Sequence, residues 1–139
     1  MKSVFRLTLL SILLFAAAAE CPAMISVAQV SKKWAKELGI HLRAKPNGPN
    51  EAWIEMEFKP EGRLAPLQHV SLEVRDDKKF LLGWTALKDT RSSSGNIIVR
   101  VMGNRDFLAN VTLRIVSGAL GGSGHDVKIS EFVDLKQLK

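Results

Sequence analysis

Apolar and polar residues alternate with a period of two along most of the chain after residue 37. In 38–44 the apolar positions are Leu38, Ile40, Leu42 and Ala44, with Gly39, His41 and Arg43 between them. In 54–58 they are Ile54, Met56 and Phe58, separated by Glu55 and Glu57. Successive side chains of a strand point to opposite faces, so this pattern lays one face on a core and the other in water. Between the two runs, Lys45 to Glu51 is dense in proline, asparagine and glycine, the residues of turns. Folding the runs back on each other pairs Leu42 with Met56 and Ile40 with Phe58. On the wet face it pairs Arg43 with Glu55 and His41 with Glu57. Apolar meets apolar and cation meets carboxylate, so both faces favour one register.

Further along, Val70, Leu72 and Val74 alternate with Ser71, Glu73 and Arg75, and Asp76-Asp77-Lys78 supplies a turn. A hairpin here matches Val74 with Phe80, Leu72 with Leu82 and Val70 with Trp84. It places Trp84 in the core, and Leu81 and Leu87 imply cover on both faces of the return strand. Asp89 to Gly95 is polar and predicts a loop. A strand follows over 96–102, a turn over 103–106, and one helical turn over 107–109 that closes an end of the molecule. Val111, Leu113 and Ile115 form the next strand. Gly118 to Gly124 is a glycine-rich connector, and Val127 and Ile129 begin a last strand ending near Val133. Residues 25–37 fit two patterns. Ile25, Val27 and Gln29 suit a strand, whereas Val27, Val30, Trp34 and Leu38 suit a helix, with Ser31 as cap for a short piece. A strand followed by a single turn is the preferred form.

These elements predict an all-β fold, an antiparallel two-sheet β-sandwich of six to seven strands, because no long helical pattern alternates with them. Strand number and length suit an immunoglobulin- or fibronectin-like sandwich, although the Cys…Trp…Cys signature is absent. The domain is expected over 24–135, after a signal peptide over 1–23 and before a frayed tail over 136–139.

The leader rests on its own pattern. Lys2 and Arg6 precede an apolar run from Leu7 to Ala19, and small residues gather at Ala16–Ala19 and Ala23. That is the layout of a secretory signal. Its 13 residues fall short of the ~20 that span a bilayer. Cleavage after Ala19 or Ala23 is expected, and with it a secreted or periplasmic location. Cys21 offers a lipid anchor as a third outcome, but Glu20 stands where such sites carry a small residue. No apolar span follows the leader. Cys21 is the sole cysteine, so no internal disulfide can form and burial must supply stability.

The net charge of +6 favours weak attraction to anionic surfaces. The basic residues are scattered, which points to a solvated surface and gives no nucleic-acid signature. The Gly118–Gly124 segment lacks the Lys-Ser/Thr and following helix of a phosphate loop. His41, His69 and His125 show no local pairing of the kind that metal sites use, and no metal or other cofactor is expected. Glu55 and Glu57 share one strand face opposite Arg43 and His41, the wrong layout for an acid pair facing across a cleft. Ser92–Ser94 lack a nucleophile elbow, and Asn110-Val111-Thr112 matches a glycosylation sequon in a strand context. No catalytic residues are assigned, and a non-catalytic binding module is the expected function. The partner would be a protein or a cell-envelope polymer, held at a sheet edge or face or by loops 46–51, 89–96 and 118–126. The alternative is a glycan- or anionic-polymer-binding module, using Trp53 on the wet face with Arg43 and Lys45 beside it. Trp34 joins that platform only if the N-terminal segment folds nearby.

Overall fold

The computed structural model describes residues 26–75, 78, 80–119 and 122–138. The leader, its cleavage points, Cys21 and the turn residues Asp76 and Asp77 lie outside the described residues. Among the described residues nine strands form two sheets. They are β1 (Ser26–Gln29), β2 (His41–Pro46), β3 (Glu51–Phe58), β4 (Leu67–Arg75), β5 (Leu81–Leu87), β6 (Asp89–Arg91), β7 (Ile97–Asn104), β8 (Val111–Ser117) and β9 (Ser123–Lys128). One sheet has the order β1-β9-β8-β4-β5 and the other β2-β3-β7-β6. Two short helices, α1 (Lys32–Leu38) and α2 (Arg105–Leu108), lie in crossings between the sheets, and α3 (Ile129–Phe132) follows β9.

The core lies between the sheets. Ala52, Ile54, Met56 and Phe58 of β3 are buried, as are Ile97, Val99 and Val101 of β7. Val70, Val111, Leu113, Ile115 and Val127 meet them from the five-stranded sheet. Leu42 and Leu72 are half-buried against this cluster. The β2–β3 register pairs Leu42 with Met56, Arg43 with Glu55 and His41 with Glu57, as the alternation predicts.

Elsewhere the structure departs from expectation. The strand count exceeds seven, and the sheets are not wholly antiparallel, because β1 runs parallel to β9. That pairing joins residues nearly a hundred positions apart, so no local pattern reveals it. Over 26–38 both anticipated elements occur, a strand and then two helical turns, with Ser31 Oγ accepting from the Trp34 amide at 3.2 Å; Ile25 lies outside the described residues. Asp89–Arg91 is a strand, because its backbone pairs with β7 despite its polar side chains. The connector ends at residue 122, and 123–126 belong to β9. Gly118 there takes a φ of 97°, and a Cβ on Gly122 would meet the Ser117 carbonyl at 2.9 Å. Ile129 opens a helical turn instead of extending the last strand. Leu135 is buried and the Leu138 carbonyl accepts from Arg105 at 2.9 Å.

The β4–β5 hairpin is the largest correction. Val74 pairs with Gly83 and Glu73 with Trp84, three residues from the predicted register, with an irregularity between Val74 and Arg75. An odd slip exchanges the two faces of a strand. Trp84 therefore stands on the outer face, 54% exposed, and leaves the core. Nor is β5 covered on both sides: Phe80, Leu81 and Leu82 are also exposed. The five-stranded sheet has one strand more than its partner, whose edge strand β6 has only 3 residues. Residues 81–86 of β5 are exposed whichever face they stand on, and only Leu87 packs against the core. The chain then crosses at Lys88 from β5 in one sheet to β6 in the other.

Candidate functional site

The outer face of the four-stranded sheet carries three rungs of side chains. Lys45, Trp53 and Met102 form one, Arg43, Glu55 and Arg100 the next, and His41, Glu57 and Ile98 the third. Alternation explains the arrangement, since each of these residues neighbours an inward residue of the core on its own strand. Trp53 lies on β3, a central strand bonded on both sides, so its backbone is fixed by two ladders. Its side chain is nevertheless 41% exposed.

Ion pairs order the second and third rungs. Arg43 Nη2 lies 2.6 Å from Glu57 and Arg43 Nη1 lies 3.9 Å from Glu55. Arg100 Nε donates to Glu55 at 2.8 Å, and Asn96 Nδ2 donates to the other oxygen of Glu57 at 2.8 Å. Pairs this exposed contribute little stability, about 0–1 kcal/mol each. Their effect is to hold planar polar groups at fixed places beside the indole. Lys45 makes no ion pair among the described residues.

A groove of about 420 Å³ opens over this face, with Arg43, Lys45, Asn47, Trp53, Glu55 and Arg100 in its lining. The 47–50 turn at its end is pinned. Asn47 Nδ2 donates to Glu51 at 2.9 Å, and the Arg105 guanidinium donates to the Gly48, Glu51 and Leu138 carbonyls. Trp53, Arg43 and Lys45 are thus gathered in one groove. Arg100 of β7 joins them, and Met102 flanks Trp53 on the same rung. Their outward parity within 96–102 was visible, but the pairing of β7 with β3 was not.

The remaining candidates lie elsewhere. Trp34 packs at 5.5 Å from His125, away from this groove. His125 is in β9 rather than in a loop, and it is buried. Burial there holds its imidazole below the usual histidine range; a bond to the Ile115 backbone opposes this and the charge of Arg63 adds to it. His69 faces Trp84 on the other sheet, with ring centroids 6.2 Å apart. Among the described residues no group of three or more His, Cys, Asp or Glu side chains could hold a metal ion. Ser92 and Ser94 hydrogen-bond each other at 2.7 Å, and Asn110 Nδ2 donates to the Asp106 carbonyl. Of the three candidate loops, only 46–51 borders the groove.

The five-stranded sheet holds a different polar group on its outer face. Arg114 bridges Glu73 at 2.5 Å and Asp126 at 2.6 and 2.8 Å, and Arg75 reaches Glu73 at 2.8 Å. The Asp126 carboxylate, bonded to the guanidinium, raises the proton affinity of Arg114 further. Glu73 is almost wholly buried and every charge in the group is matched, which suits a structural tie across three strands.

No helix among the described residues is long and apolar enough to cross a membrane. No family model, curated protein or solved structure matches the chain.

Proposed function

We propose that the protein is an exported, non-catalytic binding module, an immunoglobulin-like sandwich that presents a carbohydrate site on its four-stranded sheet. One observation carries this reading: an exposed indole on a doubly paired central strand, set in a groove beside fixed carboxylate and guanidinium groups. An indole face stacks on the C–H groups of a sugar ring, and the ordered polar groups bond its hydroxyls. Trp53 supplies the platform. Arg43 and Arg100 supply donors and Glu55 acceptors on one side, and Lys45 supplies donors at the edge.

A binding role is favoured over glycosidic cleavage by the position of the carboxylates. Glu55 and Glu57 stand on neighbouring rungs of one strand and are both engaged by arginine, whereas cleavage uses two carboxyl groups facing across a bond. Export rests on the leader pattern from Lys2 to Ala23.

The test is titration of the processed chain against a panel of cell-envelope polysaccharides by calorimetry and affinity electrophoresis. At least one is expected to bind, with Trp53→Ala weakening it by tenfold or more and Trp84→Ala leaving it intact. Equal binding by Trp53→Ala, or no binding to any polysaccharide, overturns the proposal.

A further inference from the structure

A second groove, of about 620 Å³, adjoins the first and shares Arg43 with it. Lys32 and Lys36 of α1 line it, with His41, Glu57 and Asn96. The two grooves run end to end along β2. Six residues of β2 at ~3.3 Å each give a path of ~20 Å before α1 is added. Trp53 and Lys45 lie at one end, Arg43 and Arg100 in the middle, and Lys32 and Lys36 at the other end.

Charge along this path is unbalanced. Five cationic side chains, Lys32, Lys36, Arg43, Lys45 and Arg100, face two carboxylates, Glu55 and Glu57. Both carboxylates are already bonded to arginine or asparagine. The three lysines are exposed and form no ion pair among the described residues. They sit at the two ends of the path, where a ligand meets unmatched positive charge. Glu51, bonded to Asn47, marks the limit beyond Trp53.

We infer that the ligand of this face is a linear acidic polysaccharide, lying along β2 from Trp53 to α1 with its anionic groups on Lys45, Lys32 and Lys36. The inference rests on the carbohydrate assignment above and adds the ligand's charge and direction. A nucleic acid fits the path less well. Single strands are bound by successive stacked aromatics along a basic groove, and this path has one exposed tryptophan and a pair of carboxylates at its centre. Sugar hydroxyls can donate to Glu55 and Glu57, whereas a phosphodiester backbone offers those oxygens no donor.

The test compares a short oligogalacturonate with a neutral oligosaccharide of equal length, as salt rises from about 50 to about 300 mM. The processed chain is expected to bind the acidic probe roughly tenfold tighter at low salt and to lose that advantage at high salt. The exposed double variant Lys32→Glu/Lys36→Glu is expected to lose the same advantage while keeping the residual binding that depends on Trp53. Its thermal melting curve should match that of the parent. Equal, salt-insensitive affinity for both probes overturns the inference and leaves the carbohydrate site standing, provided Trp53→Ala abolishes it. Binding of an oligothymidylate as tight as the acidic glycan overturns it in favour of general polyanion attraction. Failure of every glycan removes both proposals.

Discussion

Trp53 and Trp84 are the two tryptophans on outer sheet faces, and they differ in everything except exposure. Trp53 stands on a central strand with hydrogen-bonded neighbours on both sides, amid ion pairs that hold its surroundings. Trp84 stands on the edge strand β5, paired on one side only, beside the exposed Leu81 and Leu82. Beneath Trp53 the sheet is packed on the core. Opposite Trp84 lies the buried Glu73, tied to Arg114 and Arg75. Exposure alone therefore does not identify a ligand platform. A fixed backbone and ordered polar neighbours make one, whereas an apolar edge with unpaired backbone groups is a place where a strand can add.

The comparison can be broken most severely through the arginines. Arg114→Met removes the cation from between two carboxylates, one of them almost wholly buried, and is expected to cost about 3 kcal/mol by denaturant unfolding. Arg43→Met on the other sheet is expected to cost less than about 1 kcal/mol, since its pairs are exposed. Similar losses for both would mean that the two polar groups do not divide into tie and ligand surface.

A smaller effect separates the two edges of function. Leu82→Lys places a charge on an edge strand whose described residues from Phe80 to Leu87 carry none. Sedimentation over a range of concentrations is expected to show less self-association than in the parent chain, with glycan binding unchanged. No change in association would mean that the exposed edge strand is inert.

The mildest expected effect is on acid tolerance. His125 is held below its ordinary range by burial, so the neutral form is the one the fold accepts. The unfolded chain takes up the proton first, near pH ~6.5. Stability from this site is complete above that pH and declines as the pH falls through the unfolded and then the lowered folded value. Thermal melting between about pH 7 and 5 is expected to show a decline that His125→Gln reduces. An identical decline in the variant would assign it to other groups.

The β2–β3 hairpin is legible because two faces of four residues each have to agree, and a slip of one would put Met56 against water. The same method failed at β4–β5. There the irregularity at Val74/Arg75 shifts the pairing, and apolar residues stand on a strand that has no covering layer. Alternation reports which residues share a face; it does not report whether that face is covered. The groove was half visible for a related reason. Arg43, Lys45 and Trp53 come from one hairpin, whereas Arg100, Lys32 and Lys36 arrive through contacts between distant parts of the chain.

The platform assignment is tested most directly by the indole N–H resonances in a ¹⁵N correlation spectrum. The chain has 3 tryptophans, so each indole can be assigned by its own Trp→Phe variant. Titration with the acidic oligosaccharide is expected to move the Trp53 resonance progressively and leave those of Trp34 and Trp84 in place. Movement of Trp84 instead, or of none of the three at saturating ligand, would contradict the account.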